Sequence, residues 1–309
     1  MPVEISVIVP LFNEQENVYP FYQRLKTVLN NTCSSYEMIF VDDGSRDGTI
    51  VAIEKLAGED PSVKYISFSR NFGHQVALFA GMEKCTGNYV VLIDGDLQDP
   101  PEVIESLFTK LREGYNIVYA KRESRKGESF FKKLTAKFFY RVLNRITSIN
   151  IPLDTGDFRI MDKKVCTELV RMNEHNKFLR GQIAWLGFKE TAIHFTRDER
   201  KSGNSAFTYG KMIRFAIDGI TGFSRFPLKF ASLSGIIFSF AAFIFIIYVM
   251  LAKLLWGQTI SGWASLMVTI LFLGGIQLLS IGIIGEYMSR INDNVRNRQQ
   301  YIVDKTNLP

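Results

Sequence analysis

The first part of the chain alternates short apolar runs with amphipathic segments. The apolar runs have the length and the content of β-branched and aromatic residues that are typical of strands, and they occupy residues 5–12, 36–43, 63–69, 89–94 and 115–120. Between them, apolar positions recur with a helical period at residues 16–31, 47–59, 74–86 and 101–113. This alternation predicts an α/β domain whose mostly parallel sheet is covered by helices on both faces.

The pattern changes after about residue 227, where two long apolar segments follow one another. Residues 228–250 carry a single charge, that of Lys229, and residues 263–285 carry none. Each segment is long enough for a helix to cross a hydrocarbon core of about 30 Å. We therefore predict two transmembrane helices, and a buried helical hairpin in a soluble protein is the alternative.

Lys and Arg residues near these segments predict how the helices are oriented. Basic residues precede the first segment and follow the second, namely Lys211, Arg214, Arg225, Lys229, Arg290, Arg296, Arg298 and Lys305, whereas the connecting loop offers Lys253. Both termini are therefore expected in the cytoplasm, and the N-terminal residues lack the pattern of a signal peptide. The expected order is a cytosolic domain (1–206), an amphipathic segment at the membrane interface (207–227), the spans 228–250 and 263–285, and a cytosolic tail (286–309).

The formal net charge of +6 is concentrated in part on one predicted helix, residues 130–146. Its basic residues fall four apart on one face, at Lys133, Lys137, Arg141 and Arg145. Such a helix either covers the sheet with its charges in water or lies on an anionic membrane, and the apolar segments downstream favour the membrane. Nucleic-acid binding is not supported, because no recognised module accompanies the charge. The three cysteines have no metal-ligand spacing and are expected to be reduced.

The run at residues 89–94 ends in a cluster of carboxylates. Asp94 and Asp96 alternate around Gly95 directly at the end of the predicted strand, and Asp99 follows shortly after. A turn followed by a helix start explains Asp99 and the two prolines behind it. It does not explain Asp94 and Asp96, which repel each other unless a positive charge lies between them. A divalent cation with oxygen ligands, carrying the phosphates of a substrate, is the alternative that the spacing leaves open.

Polar residues also follow the other predicted strands, and ligands of parallel sheets bind beyond the carboxyl ends of the strands. The residues at these ends include Phe12, Asn13, Glu14, Asp42, Asp43, Arg70, Asn71, Lys121 and Arg122. No glycine-rich phosphate loop of either common type is present in the sequence. A diphosphate at this edge would therefore depend on a metal rather than on a glycine-rich loop.

Four stretches carry a family resemblance: VPLFNE (9–14), VDDGSRDGT (41–49), RNFGHQ (70–75) and DGDLQDPPE (94–102). They resemble family 2 glycosyltransferases with a GT-A fold, and more closely the polyprenyl-phosphate glycosyltransferases, the group of dolichol-phosphate mannose synthase and the bacterial bactoprenol glucosyltransferases. The resemblance covers roughly residues 3–225, and the two C-terminal helices match the bactoprenol branch. It implies a GT-A-type nucleotide-binding domain followed by two transmembrane helices in the bacterial inner membrane.

The resemblance also implies a role for each matching residue. Asp94, Asp96 and Gln98 would hold Mg²⁺ or Mn²⁺. The donor nucleotide and its diphosphate would meet Pro10, Phe12, Glu14, Val41, Asp43, Asp94, Gly95 and Asp96. Arg122, Asp157 and Arg200 would form the catalytic set, with both arginines on phosphate. Ala206 departs from the family, whose members often have lysine there, and this puts the phosphate clamp around Arg200 in doubt.

Asp157 stands where inverting relatives carry a base, but its role is left open. A lipid phosphate has its second pKa near 6, so it is already largely ionised at neutral pH. Asp157 would then either remove a proton or orient the acceptor. The histidines His74, His175 and His194 have no ligand spacing and are interpreted as structural.

The implied reaction is the transfer of one hexose from a sugar nucleotide to polyprenyl phosphate, with inversion. UDP-glucose is the first choice of donor; GDP-mannose and UDP-linked N-acetylglucosamine, galactose or arabinose derivatives remain open. The expected partners are the sugar nucleotide, polyprenyl phosphate and membrane lipids but no nucleic acid, and a homo-oligomer is left open. Polymer synthesis is disfavoured, because Gln182 is followed by Ile-Ala-Trp without the arginine of processive synthases. A catalytically silent scaffold that binds lipid phosphate is the alternative from another class.

Overall fold

The structure is a computed structural model that describes residues 2–122, 155–172, 174–195, 222, 224, 226–256 and 262–308. The predicted basic helix 130–146, Arg200, Ala206 and most of the interface segment 207–227 lie outside the described residues. The backbone of Arg122 is described but its side chain is not.

The described strands form one eight-stranded sheet. They are β1 Ile5–Leu11, β2 Tyr36–Asp42, β3 Val63–Phe68, β4 Tyr89–Leu92, β5 Ile117–Arg122, β6 Thr155–Asp162, β7 Glu190–Phe195 and β8 Val303–Thr306. Their order across the sheet is β7-β5-β6-β4-β1-β2-β3-β8. All neighbouring pairs are parallel except those that involve β6 or β8, so the prediction of a mostly parallel sheet is confirmed.

Helices cover both faces of this sheet. Those of the sheet domain are α1 Gln15–Thr32, α2 Thr49–Glu59, α3 His74–Lys84, α4 Val103–Leu111, α5 Lys163–Arg171 and α6 Leu179–Leu186. Helices α1, α2 and α4 share one apolar core with the sheet, and α3, α5 and α6 share the other. The strands are apolar on both sides for this reason, as Val7 faces the first core and Ile8 the second.

Strand β6 is inserted between β4 and β5 and runs against both of them. Its register places Arg159 opposite Leu92. Because β6 is antiparallel, its first residues lie at the sheet edge where β4 ends. This brings Asp157 to the carboxylates that follow β4, a proximity that the sequence pattern did not indicate.

Two long helices follow the sheet domain, α7 Phe226–Trp256 and α8 Trp263–Arg296. They contain 31 and 34 residues, which at 1.5 Å per residue gives lengths of about 45 and 50 Å. Residues Phe226–Leu251 and Val268–Arg296 are long and apolar enough to cross a membrane. The helical character of the predicted spans 228–250 and 263–285 is thus confirmed, and α8 continues beyond the predicted end.

The C-terminal residues return to the sheet. Strand β8 pairs antiparallel with β3, with Thr306 opposite Ile66. The Ser69 N–H donates to the carbonyl of Ile302 at 3.0 Å, and Asn307 Oδ1 accepts from the Tyr65 N–H at 2.7 Å. The described part of the predicted cytosolic tail (286–309), residues 286–308, therefore completes α8 and adds an edge strand.

Candidate active site

The Asp94-Gly95-Asp96 turn is built tightly against β1. A Cβ at Gly95 would lie 2.4 Å from Cδ2 of Leu11, so only glycine allows this approach. The next residue after the turn, Leu97, has a φ of 60°, a left-handed conformation that non-glycine residues rarely adopt. Backbone strain of this kind persists only where the surrounding structure enforces it, and it often occurs at functional sites. The turn is therefore a fixed feature that sets the directions of Asp94 and Asp96.

His74 lies between Asp94 and Asp157. Its Nε2 atom is 3.2 Å from Oδ2 of Asp157 and 3.5 Å from Oδ1 of Asp94. Burial alone would lower the pKa of His74, but the two carboxylates outweigh it and raise the pKa to about 9. The two contacts thus favour the protonated form of the ring. The sequence interpreted His74 as structural, and the structure places it between two predicted site carboxylates.

Asp157 accepts hydrogen bonds from four side chains. Its Oδ2 accepts from Gln75 Nε2 at 3.1 Å and from His74, and its Oδ1 accepts from Arg180 Nε at 3.1 Å and Arg159 Nη2 at 3.2 Å. Burial opposes ionisation of Asp157, but Arg180, His74 and Arg159 together hold its pKa well below the usual range. A carboxylate that is so fully engaged is a poor proton acceptor. The geometry therefore favours the orienting role over the role of a base.

The pKa of Asp94 is shifted in the opposite direction to that of Asp157. Burial is the main reason that its pKa is raised to about 6; His74 opposes the rise, and Asp157, Asp99 and Asp96 add to it. Its Oδ1 atom is buried and accepts no hydrogen bond, and its contact is the longer ion pair with His74 at 3.5 Å. This excess of negative charge and the unsatisfied oxygen fit a cation beside Asp94 and Asp96. Among the described residues, no group of three metal-binding side chains comes together.

Gln98 and Asp99 both lie inside the protein. Gln98 is 6% exposed, and its N–H donates to Asp96 Oδ1 at 3.1 Å. Asp99 is fully buried, whereas α4 begins only at Val103. The interpretation of Asp99 as simply the start of a helix is therefore incomplete, since its charge also acts on Asp94.

Asp43 holds the loop that leads into α3. Its carboxylate accepts from the Phe72 N–H at 2.7 Å and from the Gly73 N–H at 2.9 Å. Burial raises the pKa of Asp43, and these two donors oppose the rise. Asp42 shapes the neighbouring turn, because it accepts from the Ser45 N–H.

The other predicted donor-site residues divide into two groups. Phe12 lies just past β1 with 43% of its surface exposed, and the Glu14 N–H donates to Thr49 Oγ1 at 3.0 Å at the start of α1. Pro10 and Val41 instead face each other across β1 and β2, and both are buried. Their place in the donor site stays a prediction. Arg122 ends β5, on the same edge of the sheet.

A mostly parallel sheet that carries an Asp-Gly-Asp turn at its carboxyl edge defines a GT-A-like α/β domain. The chain matches the family described as Glycosyl transferase family 2 over residues 6–170, and it belongs to that family. It is therefore a glycosyltransferase, and the family resemblance seen in its motifs is confirmed.

Relatives match nearly the whole chain. The uncharacterized glycosyltransferase YkcC of Bacillus subtilis (strain 168) is 50% identical over 304 residues, which cover 98% of this chain and 94% of that protein. The SfII prophage-derived bactoprenol glucosyl transferase of Shigella flexneri is 39% identical and covers 98% of each. Mannosyl-3-phosphoglycerate synthase from Rubrobacter xylanophilus, a solved structure, is 15% identical with a TM-score of 0.49, covering 69% of this chain and 70% of its own.

Proposed function

We propose that the chain transfers a single hexose from a nucleoside diphosphate sugar to polyprenyl phosphate, with inversion at the anomeric carbon. UDP-glucose is the proposed donor. The observation that carries the proposal is the carboxylate pair Asp94 and Asp96, fixed at the carboxyl edge of a GT-A-like sheet. The 39% identity to proteins named bactoprenol glucosyl transferase supports the lipid acceptor and the glucosyl donor.

On the donor side, Asp94, Asp96 and Gln98 would hold Mg²⁺ or Mn²⁺, and the backbone N–H of Gln98 donates to Asp96 Oδ1. When bound, the metal ion neutralises the charge that develops on the departing diphosphate. Phe12 is exposed at the end of β1 and could flank the base, while Asp43 fixes the loop beside it. Glu14 lies directly before α1, where its N–H donates to Thr49 Oγ1, and it would line the same side of the donor site.

On the acceptor side, the chemistry requires positioning more than proton removal. The phosphate of a polyprenyl phosphate is largely ionised at neutral pH, so its oxygen can attack directly. Asp157, held by four donors, would orient the groups that receive this phosphate. Arg122 and Arg200 are proposed to contact phosphate. Attack on the side opposite the leaving nucleotide inverts the anomeric carbon.

The two apolar helices support an acceptor that resides in a membrane. They would anchor the sheet domain, proposed as residues 1–206, at the bilayer surface, with residues 207–227 at the interface. We propose the bacterial inner membrane with both termini in the cytoplasm, as the positions of Lys and Arg indicate. The carboxyl edge of the sheet would then lie near the bilayer surface, where the phosphate of a lipid can bind while its chain stays in the membrane.

The test uses the purified full chain in detergent, with undecaprenyl phosphate and a panel of radiolabelled sugar nucleotides. We expect labelled lipid from UDP-glucose, dependence on Mg²⁺ or Mn²⁺, and a β-linked product from the α-linked donor. Transfer from GDP-mannose but from no UDP-sugar would overturn the donor assignment. No transfer from any donor, under conditions where the lipid phosphate still binds, would instead indicate a silent lipid-phosphate scaffold.

A further inference from the structure

Two of the three cysteines bring their thiols together away from the carboxylates of the site. Cys85 directly follows α3, and Cys166 lies in the first turn of α5. Their Sγ atoms are 3.7 Å apart, although the two residues are 81 positions apart in the sequence. Because α3 begins at His74 and has 11 residues, Cys85 lies about 16 Å from the catalytic edge of the sheet. A disulfide bond is about 2 Å long, so the two sulfur atoms are within a small movement of bonding distance.

The two thiols differ in their access to solvent. Cys166 is 2% exposed inside the second core, whereas Cys85 is half-buried at the rim of the same core. The ammonium group of Lys163 is held near this rim, because it donates to the carbonyl of Thr86 at 2.9 Å. The hydrogen bond with Cys166 lowers the pKa of Cys85; burial and Glu37 oppose this, and Lys163 adds to it. An oxidant therefore reaches Cys85 first, and Cys166 lies directly behind it.

Cys33 offers a comparison within the same chain. It is also half-buried, but it packs against the first core, on the other face of the sheet from Cys85 and Cys166. Its thiol donates to the carbonyl of Leu29 at 3.4 Å, and burial raises its pKa to about 11. Cys33 is thus a thiol of similar exposure that is both less ionised and remote from a second thiol.

We infer that Cys85 and Cys166 form a redox-sensitive pair, which a peroxide oxidises to an intramolecular disulfide that connects α3 to α5. This modification site is independent of the proposed transfer reaction. In the cytoplasm proposed for the sheet domain, thiols are kept reduced, so the pair stays open until an oxidant reaches it. The sequence expectation of reduced cysteines describes this resting state.

The oxidation takes place in two steps. The Cys85 thiolate attacks one oxygen of hydrogen peroxide, the O–O bond breaks, and hydroxide leaves as Cys85 becomes a sulfenic acid. The Cys166 sulfur then attacks the sulfenic sulfur, the S–S bond forms, and the OH group leaves as water with the proton of the Cys166 thiol. The hydroxide takes up the proton that Cys85 had released, so two thiols and one peroxide give one disulfide and two waters. A dithiol reductant reverses the reaction by thiol–disulfide exchange.

The test uses the purified full chain in detergent, freshly reduced and then treated with stoichiometric hydrogen peroxide. The remaining thiols are blocked with N-ethylmaleimide in denaturant before trypsin digestion and mass spectrometry. Trypsin releases Cys85 in peptide 85–110, Cys166 in peptide 165–171 and Cys33 in peptide 27–46. We expect the first two peptides to be joined in most chains and separated by dithiothreitol, while Cys33 carries N-ethylmaleimide. Both thiols blocked separately, Cys85 oxidised to a sulfinic acid, or a bridge between two chains on a non-reducing gel would overturn the proposal.

Single variants check the order of the two steps. In Cys166→Ala the sulfenic acid has no thiol to condense with, so dimedone should label Cys85. In Cys85→Ala the buried Cys166 should remain a thiol under the same treatment. Cys33→Ala is the matched control and should form the bridge as the parent does. Labelling of Cys166 in Cys85→Ala, with none of Cys85 in Cys166→Ala, would refute the assignment of Cys85 as the residue that meets the oxidant.

A melting curve measures the connection between the two helices. The bridge closes a loop between residues 81 positions apart and so restricts the unfolded chain. The oxidised parent should therefore melt about 5 °C or more above the reduced parent. Peroxide should leave the melting temperature of Cys166→Ala unchanged. Equal melting temperatures for the bridged and the reduced parent would show that the disulfide does not fix α3 to α5.

Discussion

The ring of Tyr301 stacks on the ring of Phe68, with centroids 4.9 Å apart and planes inclined by 26°. The Tyr301 hydroxyl also donates to Glu83 on α3. Phe68 in turn makes an edge contact with Phe72, whose N–H donates to Asp43. The C-terminal segment after α8 is therefore packed beneath the loop that leads to His74. A residue that follows α8, a helix long and apolar enough to cross a membrane, thus supports the loop that Asp43 holds.

Replacing Tyr301 with Ala should loosen this support. The variant loses a stacked aromatic pair and a partly buried ring, which together stabilise the fold by about 1–3 kcal/mol. We expect a lower melting temperature of the full chain and a higher KM for the sugar nucleotide. The reason is that the loop held by Asp43 loses the aromatic packing beneath it. Differential scanning fluorimetry and steady-state kinetics measure the two effects.

Tyr301→Phe is the matched control, because it keeps the stack and removes only the hydrogen bond to Glu83. It should fall between the parent and the alanine variant. A Tyr301→Ala variant that melts like the parent and binds donor equally well would show that the C-terminal strand does not support the site.

Neutralising either carboxylate of the Asp-Gly-Asp turn should abolish most of the transfer. In Asp94→Asn and Asp96→Asn the shape is kept and the charge that holds a cation is lost, so transfer should fall by about two orders of magnitude or more. Mn²⁺ binding in the presence of UDP, followed by electron paramagnetic resonance, should weaken in parallel. Asp304→Asn, on the exposed strand β8, is the control. Parental rates for both turn variants in the presence of a chelator would exclude a metal at this site.

The sequence predicted the parallel strands and the edge at which the site lies because both signals are local. Strands β1 to β5 are apolar on both faces, and each ends in polar residues where the apolar run stops. Predicted and observed bounds differ by a few residues at most, as for β4, which ends at Leu92 rather than Asp94. Asp94 and Asp96 could be identified because their spacing is unusual within a single turn.

The rest of the site depends on pairings that are distant in the sequence. His74 meets Asp157 only because β6 enters the sheet antiparallel to β4, and no local pattern encodes that neighbour. Arg180 joins them from another helix, and it was not among the predicted site residues. The position of His74 directly after the RNFG loop was an available signal, but it was passed over because the histidines have no ligand spacing in the sequence. Strand β8 is exposed throughout, so it lacked the apolar pattern of a strand.

The pH dependence of transfer should follow the acceptor rather than Asp157. Because its cationic neighbours hold the pKa of Asp157 well below the usual range, this carboxylate stays ionised from pH 5 upward and cannot produce an acidic limb. The acceptor phosphate, with a second pKa near 6, becomes protonated as the pH falls through that value and loses nucleophilicity. Asp94, whose pKa is raised to about 6, is kept ionised in this range by working at saturating Mg²⁺. Under that condition we expect kcat/KM for the acceptor to fall below about pH 6.

A phosphonate analogue of the acceptor distinguishes the two sources of that limb. Its second pKa is higher than that of the phosphate, so the limb should move to higher pH with the phosphonate and should persist in Asp157→Asn. A limb that stays at the same pH for both acceptors and disappears in Asp157→Asn would assign the titration to Asp157 and restore its role as a base.

Gly95 should be irreplaceable for a steric reason. A Cβ at this position would lie 2.4 Å from Cδ2 of Leu11, a buried side chain of β1 that has little room to move. Gly95→Ala should therefore push the turn away from β1, displace Asp94 and Asp96, and reduce both Mn²⁺ binding and transfer, with a loss of stability of about 1–3 kcal/mol. Gly58→Ala is the matched control, because a Cβ there meets no atom within 4 Å and alanine favours the helix. Equal activity and stability for the two variants would mean that the turn can shift without cost, and that its tight seat against β1 does not set the directions of the two carboxylates.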